Sequence, residues 1–180
     1  MKGRVLISEP FLPDPNFRRS VILIAEHEEH GSLGYVLNQR TDFAVNMIVD
    51  GLDSVNRSAY QGGPVELDSL HYIHTYPHIE GSVKIASGIY WSGDFGDVCK
   101  GLLAGSMLQE NFRFFVGYSG WAAGQLQAEI EDKSWMVGDL EAKYIFDQSI
   151  EDEELWKHAI RERGGTDALL ANAPKDPFLN

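Results

Sequence analysis

The apolar positions of this chain fall into short blocks with two different rhythms. Val21-Ile22-Leu23-Ile24-Ala25 is unbroken and β-branched, the pattern of a strand covered on both faces. Leu33-Gly34-Tyr35-Val36-Leu37 follows the polar stretch Glu26 to Ser32, so the two blocks are expected to pair as an antiparallel hairpin. Val5-Leu6-Ile7 predicts a first strand, and similar blocks predict strands over 70–75, 83–87, 112–118 and 134–137.

Helical rhythm is rarer. A short helix is expected over 45–51, stopped by Gly51, and a longer one over 97–110, capped by Asp94 or Asp97. Another is expected over 121–131, with Gln125 and Glu129 beside an apolar stripe of Trp121, Leu126 and Ile130. The last, over 152–162, places Leu155, Trp156, Ala159 and Ile160 on one face and stops at Gly164-Gly165. Strands precede and separate helices without βαβ alternation, which predicts an α+β fold with a mixed, partly antiparallel sheet. No linker-like segment divides the chain, so residues 1–165 are expected to form a single domain. Residues 166–180, with Pro174 and Pro177, pattern weakly and are expected to be a weakly structured or docked tail.

Composition narrows the function classes. The chain has 180 residues, 43% hydrophobic and 23% charged, enough apolar material for a core. Fifteen Lys and Arg against 27 Asp and Glu give −12, which disfavours direct nucleic-acid binding and anionic membrane surfaces. The acidity concentrates between Asp139 and Glu154, read as solvated surface and the acidic first turn of a helix. The one cysteine, Cys99, forms no internal disulfide, so a reducing, cytoplasmic setting is expected. No apolar run reaches the roughly 20 residues of a membrane span. The N-terminal run stops at Ser8-Glu9-Pro10, short of a secretory core.

Three stretches offer chemistry. Pro10 to Ser20 is stiffened by Pro10, Pro13 and Pro15 and ends in Arg18-Arg19, the densest positive pair. Guanidinium groups there suit a carboxylate or phosphate; the competing reading pairs one of them with a nearby acid. Gln61-Gly62-Gly63-Pro64-Val65 offers bare amides but is neither a P-loop nor a dinucleotide fingerprint. Gly117-Tyr118-Ser119-Gly120-Trp121 reads as a strand running into a helix, with Ser119 as a capping residue. It departs from the nucleophile elbow, which needs glycine where Trp121 stands. His71, His74 and His78 lack cysteine partners, and on a strand His71 and His74 point to opposite faces. No metal site and no cofactor are therefore expected. The tryptophans are core by default, with Trp91 and Trp121 beside turns.

These motifs together resemble the YqgE/AlgH family. The resemblance rests on Gly3 to Pro10 leading to Asp14-Pro15-Asn16-Phe17-Arg18-Arg19-Ser20 and the strand after it, then Glu26-His27 and Gly34-Tyr35-Val36-Leu37-Asn38. It continues through Gly62-Gly63-Pro64-Val65, Leu70-His71, Gly117 to Trp121, Gly124-Gln125-Leu126, Glu129 and Ser134-Trp135. It implies a compact single-domain α+β protein of the bacterial cytosol, with a curved or barrel-like, largely antiparallel sheet flanked by helices. It brings no enzymatic activity to carry over, and a transcriptional-regulator label through an alginate-regulation branch. The chain itself shows neither a helix-turn-helix signature nor a basic stripe. Where the family usually reads Asn-Arg-Pro, this chain reads Asn38-Gln39-Arg40, which removes any role resting on an arginine at 39.

The expectation is a non-enzymatic binding or regulatory protein with a cleft for a small anion or a protein partner. Arg18, Arg19, Ser20, Gly62, Gly63, Ser119, Trp121 and Gln125 would surround it, with polar contacts from His27, Asn38 and His71. The alternative is a hydrolase or transferase using a histidine with Ser119 or Glu129.

Overall fold

Strand-forming blocks dominate the first two thirds of the chain, and in the computed structural model, which describes residues 1–174, they build one sheet. In chain order the elements are β1 (Val5–Ser8), β2 (Val21–Glu28), β3 (Gly31–Val36), β4 (Arg40–Ala44), β5 (Ser58–Gln61), β6 (Val65–His74), β7 (Val83–Ala86) and β8 (Ile89–Trp91). Then come α1 (Phe95–Ala104), β9 (Phe112–Ala122), α2 (Gln125–Glu131), β10 (Trp135–Gly138), α3 (Ala142–Phe146) and α4 (Asp152–Arg163).

The main path of the sheet is β10-β1-β2-β3-β9-β6-β8-β7, antiparallel at every step. β5 joins β9 in parallel and carries β4 on its far side, so the sheet is mixed but largely antiparallel. It curls strongly. The Gly3 amide donates to Ile24, and a Cβ on Gly3 would stand 2.3 Å from the Ile85 carbonyl, so β7 returns against the start of β1. Gly3 has φ +80°, a conformation open to glycine at little cost. The curl stops short of closure: β10 and β7 end the path, and the barrel version of the expected shape is not formed.

The continuous apolar run of β2 has the expected cause. Leu23 joins the inner core with Tyr35, Phe115 and Trp156, while Ile22 and Ile24 pack on the other face with Trp121, Leu126 and Trp135. A third cluster lies under α1, around Val98, Phe112 and Phe114. α4 buries Leu155, Trp156, Ala159 and Ile160, the face its spacing predicts, and begins with Asp152, Glu153 and Glu154. Asp94 caps α1 by accepting from the Asp97 amide at 2.8 Å.

Several boundaries differ from the sequence reading. The helix expected over 97–110 ends at Ala104, because Gly105 turns left-handed at φ +71°. The helix expected over 45–51 is a single 3-10 turn, Val45–Met47. The helix expected from 121 starts at Gln125, since β9 continues to Ala122 and keeps Trp121 in the sheet. After α4, Gly165–Asn172 forms a 3-10 segment with Ala171 buried, and Arg19 donates to the carbonyls of Ala173 and Pro174. The expected tail, 166–180, is described only as far as residue 174; 175–180 lie outside the described residues. Among the described residues no helix is long and apolar enough to cross a membrane.

Candidate functional site

The proline-stiffened loop before β2 lies between two hollows. Toward one side it presents Arg18 and Arg19; toward the other, Leu12, Asp14 and Phe17.

The first hollow, about 280 Å³, is lined by Arg18, Arg19, Asn38, Asp152 and Glu153. Arg19 is buried and engaged: its Nη1 donates to Glu153 at 2.9 Å and its guanidinium carbon lies 4.8 Å from the Trp156 ring centroid. Its other terminal nitrogen serves Ala173 and Pro174. Asn38 is equally occupied. Its Oδ1 accepts from the Val21 amide at 2.7 Å, and its Nδ2 donates to the carbonyls of Arg19 and Asp152. Ser20 is buried, its hydroxyl donating to the Phe17 carbonyl and its amide to Ser8. These residues stitch loop, strand and α4 together. Of the two arginines offered for an anion, Arg19 is taken up by the fold while Arg18 is exposed, and Asp152 and Glu153 stand beside both in this hollow.

The second hollow, about 260 Å³, is walled by Phe17, Trp121 and Trp135, with Asp14, Gln125 and Glu129 among its polar lining. Its geometry is organised around one carboxylate. Glu129 Oε2 accepts from the indole Nε1 of Trp121 and of Trp135, each at 2.8 Å, and Oε1 accepts from Gln125 Nε2 at 2.8 Å. Gln125 in turn accepts the Ala122 amide at 3.0 Å, tying the end of β9 to α2. Trp121 and Trp135 meet edge to face with centroids 6.2 Å apart, and Phe17 meets Trp135 likewise at 5.6 Å. Across the hollow, Asp14 Oδ1 accepts from the backbone and side-chain nitrogens of Asn16, fixing the loop tip. None of the lining residues is basic.

The residues of this hollow belong to the motif set that the sequence singled out. The AlgH-like family model matches residues 5–168, nearly the whole chain. The chain belongs to the AlgH-like family. A UPF0301 protein of Chlorobium luteolum is 40% identical over 99% of this chain and 94% of its own length. One of Bacteroides thetaiotaomicron is 37% identical, covering 99% and 91%. Among solved structures, protein DIP2367 of Corynebacterium diphtheriae superposes with a TM-score of 0.80 at 26% identity, over 94% of this chain and 91% of that one. The AlgH protein of Pseudomonas aeruginosa gives 0.73 at 27% identity, over 96% and 93%.

In this AlgH-like chain the remaining predicted residues stand apart from both hollows. Gly62 and Gly63 lie where β5 meets β9: a Cβ on Gly62 would sit 2.4 Å from the Gly117 carbonyl, and one on Gly63 2.3 Å from Tyr118. Their lack of side chains serves close backbone approach, not a phosphate cradle; the Gly62 amide already donates to Val116. Ser119 lies inside β9 rather than at a helix start. It is fully buried, and its hydroxyl donates to the Gly62 carbonyl at 3.0 Å. α2 is instead preceded by Gly124 with no side-chain cap.

The histidines have other partners. His27 lies on the hairpin, with Nδ1 2.7 Å from Ser32. His71 Nε2 is 2.9 Å from the Ser69 hydroxyl, which itself donates to the Glu66 carbonyl, so the imidazole is the donor. Burial lowers the His71 pKa, with Glu66 opposing. Among the described residues no histidine hydrogen-bonds Ser119 or Glu129, and all three N–H groups around Glu129 point at it, so the acid–base pairing of the enzyme alternative is not assembled. The shared cleft is likewise not formed: Arg18, Arg19 and Asn38 line one hollow, Trp121 and Gln125 the other. The side chains whose ligand atoms converge as a cation would need are different ones, Glu26, Glu28 and His30, within 4.8 Å of one another at the exposed end of the hairpin.

Sequence reasoning missed Asp14, Phe17 and Trp135 as lining residues. Gln125 and Glu129 carried a signal, the i, i+4 spacing of side chains that meet on a helix. Phe17 carried none, since its contact with Trp135 spans the chain from the first loop to the last strand.

Proposed function

We propose that this chain is a non-enzymatic binding protein of the cytoplasm, with a regulatory role, and that its binding site is the hollow between the proline loop and α2. The observation that carries this reading is the Glu129 carboxylate with its three N–H donors. A carboxylate so occupied is a good fixed wall, and rigid walls lower the ordering cost of binding. The lone Cys99 suits a reducing compartment. A regulatory role exercised by direct DNA contact is disfavoured by the −12 charge, so regulation through a ligand or a protein partner is the preferred form.

The test is a small-molecule screen read by the indole N–H resonances of Trp121 and Trp135 in a nitrogen-15 spectrum. Saturable shifts of those two signals, with Trp91 and Trp156 still, support the reading. Ligands that move only other signals refute the assignment of the site.

A further inference from the structure

We propose that this hollow accepts a quaternary ammonium group, a cation with no N–H to donate. The inference rests on the binding reading above and names its ligand class.

Asp14 and Glu129 line the hollow and no lysine or arginine does, so the site lacks a counter-charge of its own. An anion, the ligand class expected from the sequence, would enter against two carboxylates. Phe17, Trp121 and Trp135 meet at near-perpendicular angles of 75° and 81°, so the rings form a corner rather than a flat stack. Indole and phenyl rings so disposed attract a cation through their quadrupoles, and cages of this type select methylated ammonium groups.

Hydrogen-bond capacity separates a quaternary ammonium from a lysine or arginine side chain. Primary ammonium and guanidinium groups lose water hydrogen bonds on entering a hollow and need acceptors to replace them. Here most of that capacity is already engaged: the Glu129 oxygens receive three N–H groups and Asp14 Oδ1 receives two from Asn16, which leaves Asp14 Oδ2 as the carboxylate oxygen without a partner among the described residues, too few for the three donors of an ammonium or the five of a guanidinium. A trimethylammonium group asks for negative potential and carbon contact; the two carboxylates supply the first, and the second comes chiefly from half-buried Phe17, with Trp121 and Trp135 showing the hollow only narrow margins of their rings. The volume, about 260 Å³, sits just below the usual range for whole drug-sized ligands and suits a headgroup.

The test titrates the intact protein with choline chloride and, in parallel, with 3,3-dimethyl-1-butanol, its uncharged isostere, following the same two indole signals. Choline is expected to bind about tenfold more tightly than the alcohol. Asp14→Asn keeps the Asn16 turn and removes one charge; it is expected to weaken choline several-fold and leave the alcohol unchanged. Phe17→Leu is expected to weaken choline with little effect on Tm. An Nε-trimethyllysine peptide in a third titration distinguishes the source: tighter binding than choline points to a modified protein, weaker binding to a small molecule. Equal binding of choline and the alcohol, or preference for sodium phosphate, overturns the cation inference while the binding site stands. Indole signals that no probe moves overturn both.

Discussion

The guanidinium of Arg113 lies 4.3 Å from the centre of the Tyr60 ring and also donates to the Tyr60 hydroxyl at 3.2 Å. Its second terminal nitrogen donates to the Leu37 carbonyl at 2.8 Å, and the side chain is 1% exposed. Burial pushes the Arg113 pKa down, opposed by Tyr60 and by Asp152. A planar cation with spread charge tolerates such a place; a compact ammonium does not. Arg113→Lys is expected to destabilise the fold by about 2–4 kcal/mol in urea denaturation. A loss under half a kilocalorie would show that charge alone suffices at this position.

Neighbouring arginines should separate sharply. Arg19 is held by Glu153, two carbonyls and the Trp156 ring, whereas Arg18 is exposed. Arg19→Ala is expected to cost about 2 kcal/mol or more, and Arg18→Ala to stay within about 0.5. Paired thermal melts check the difference. Equal, small effects would mean that the docking of residues 173–174 contributes nothing to stability.

Glu129→Gln keeps the size of the side chain and replaces one acceptor oxygen with a donor. The amide then faces one of three N–H groups, from two buried indoles and exposed Gln125; among the described residues the indoles have no other acceptor. A loss of about 1–3 kcal/mol is expected, together with altered near-ultraviolet circular dichroism from the tryptophans. An unchanged tryptophan signal would refute the organising role of the carboxylate.

His74 makes stability depend on pH. It is fully buried, its Nδ1 accepts the Tyr76 amide, and so its Nε2 carries the proton donated to Ser92. Desolvation holds its pKa below the ordinary 6.5 of the unfolded chain. The unfolded state therefore binds a proton first: this contribution is full above 6.5 and is lost as pH falls through the lower folded value. Denaturation midpoints between pH 7.5 and 5 should drop less steeply in His74→Gln than in the parent. Parallel slopes would assign the acid sensitivity to other groups, His71 among them.

Local pattern made much of the fold legible. The β2–β3 hairpin, α4 with its buried Leu155 and Trp156, and the Asp94 cap follow from period, spacing and cap chemistry within a few residues. The short strands β4, β5 and β8 were not legible, because Arg40–Ala44 and Ser58–Gln61 carry little apolar alternation and exist by pairing with distant partners. The site shows the same division. Gln125 and Glu129 announce each other along one helix, but which of Arg18 and Arg19 takes an acid, and which acid, is not legible, because Glu153 lies far along the chain. A charge pair of that kind leaves no trace in local sequence.

The central place of β9 sets an order on folding. It pairs with β3, β5 and β6, and β1 completes its own pairing only with β10. A chain emerging from the ribosome therefore carries β3 and β6 with open edges until residues 112–122 appear. Pairings this distant in sequence close slowly. Nascent chains truncated before Phe112 should be the aggregation-prone clients of chaperones, and those reaching Gly138 should escape them.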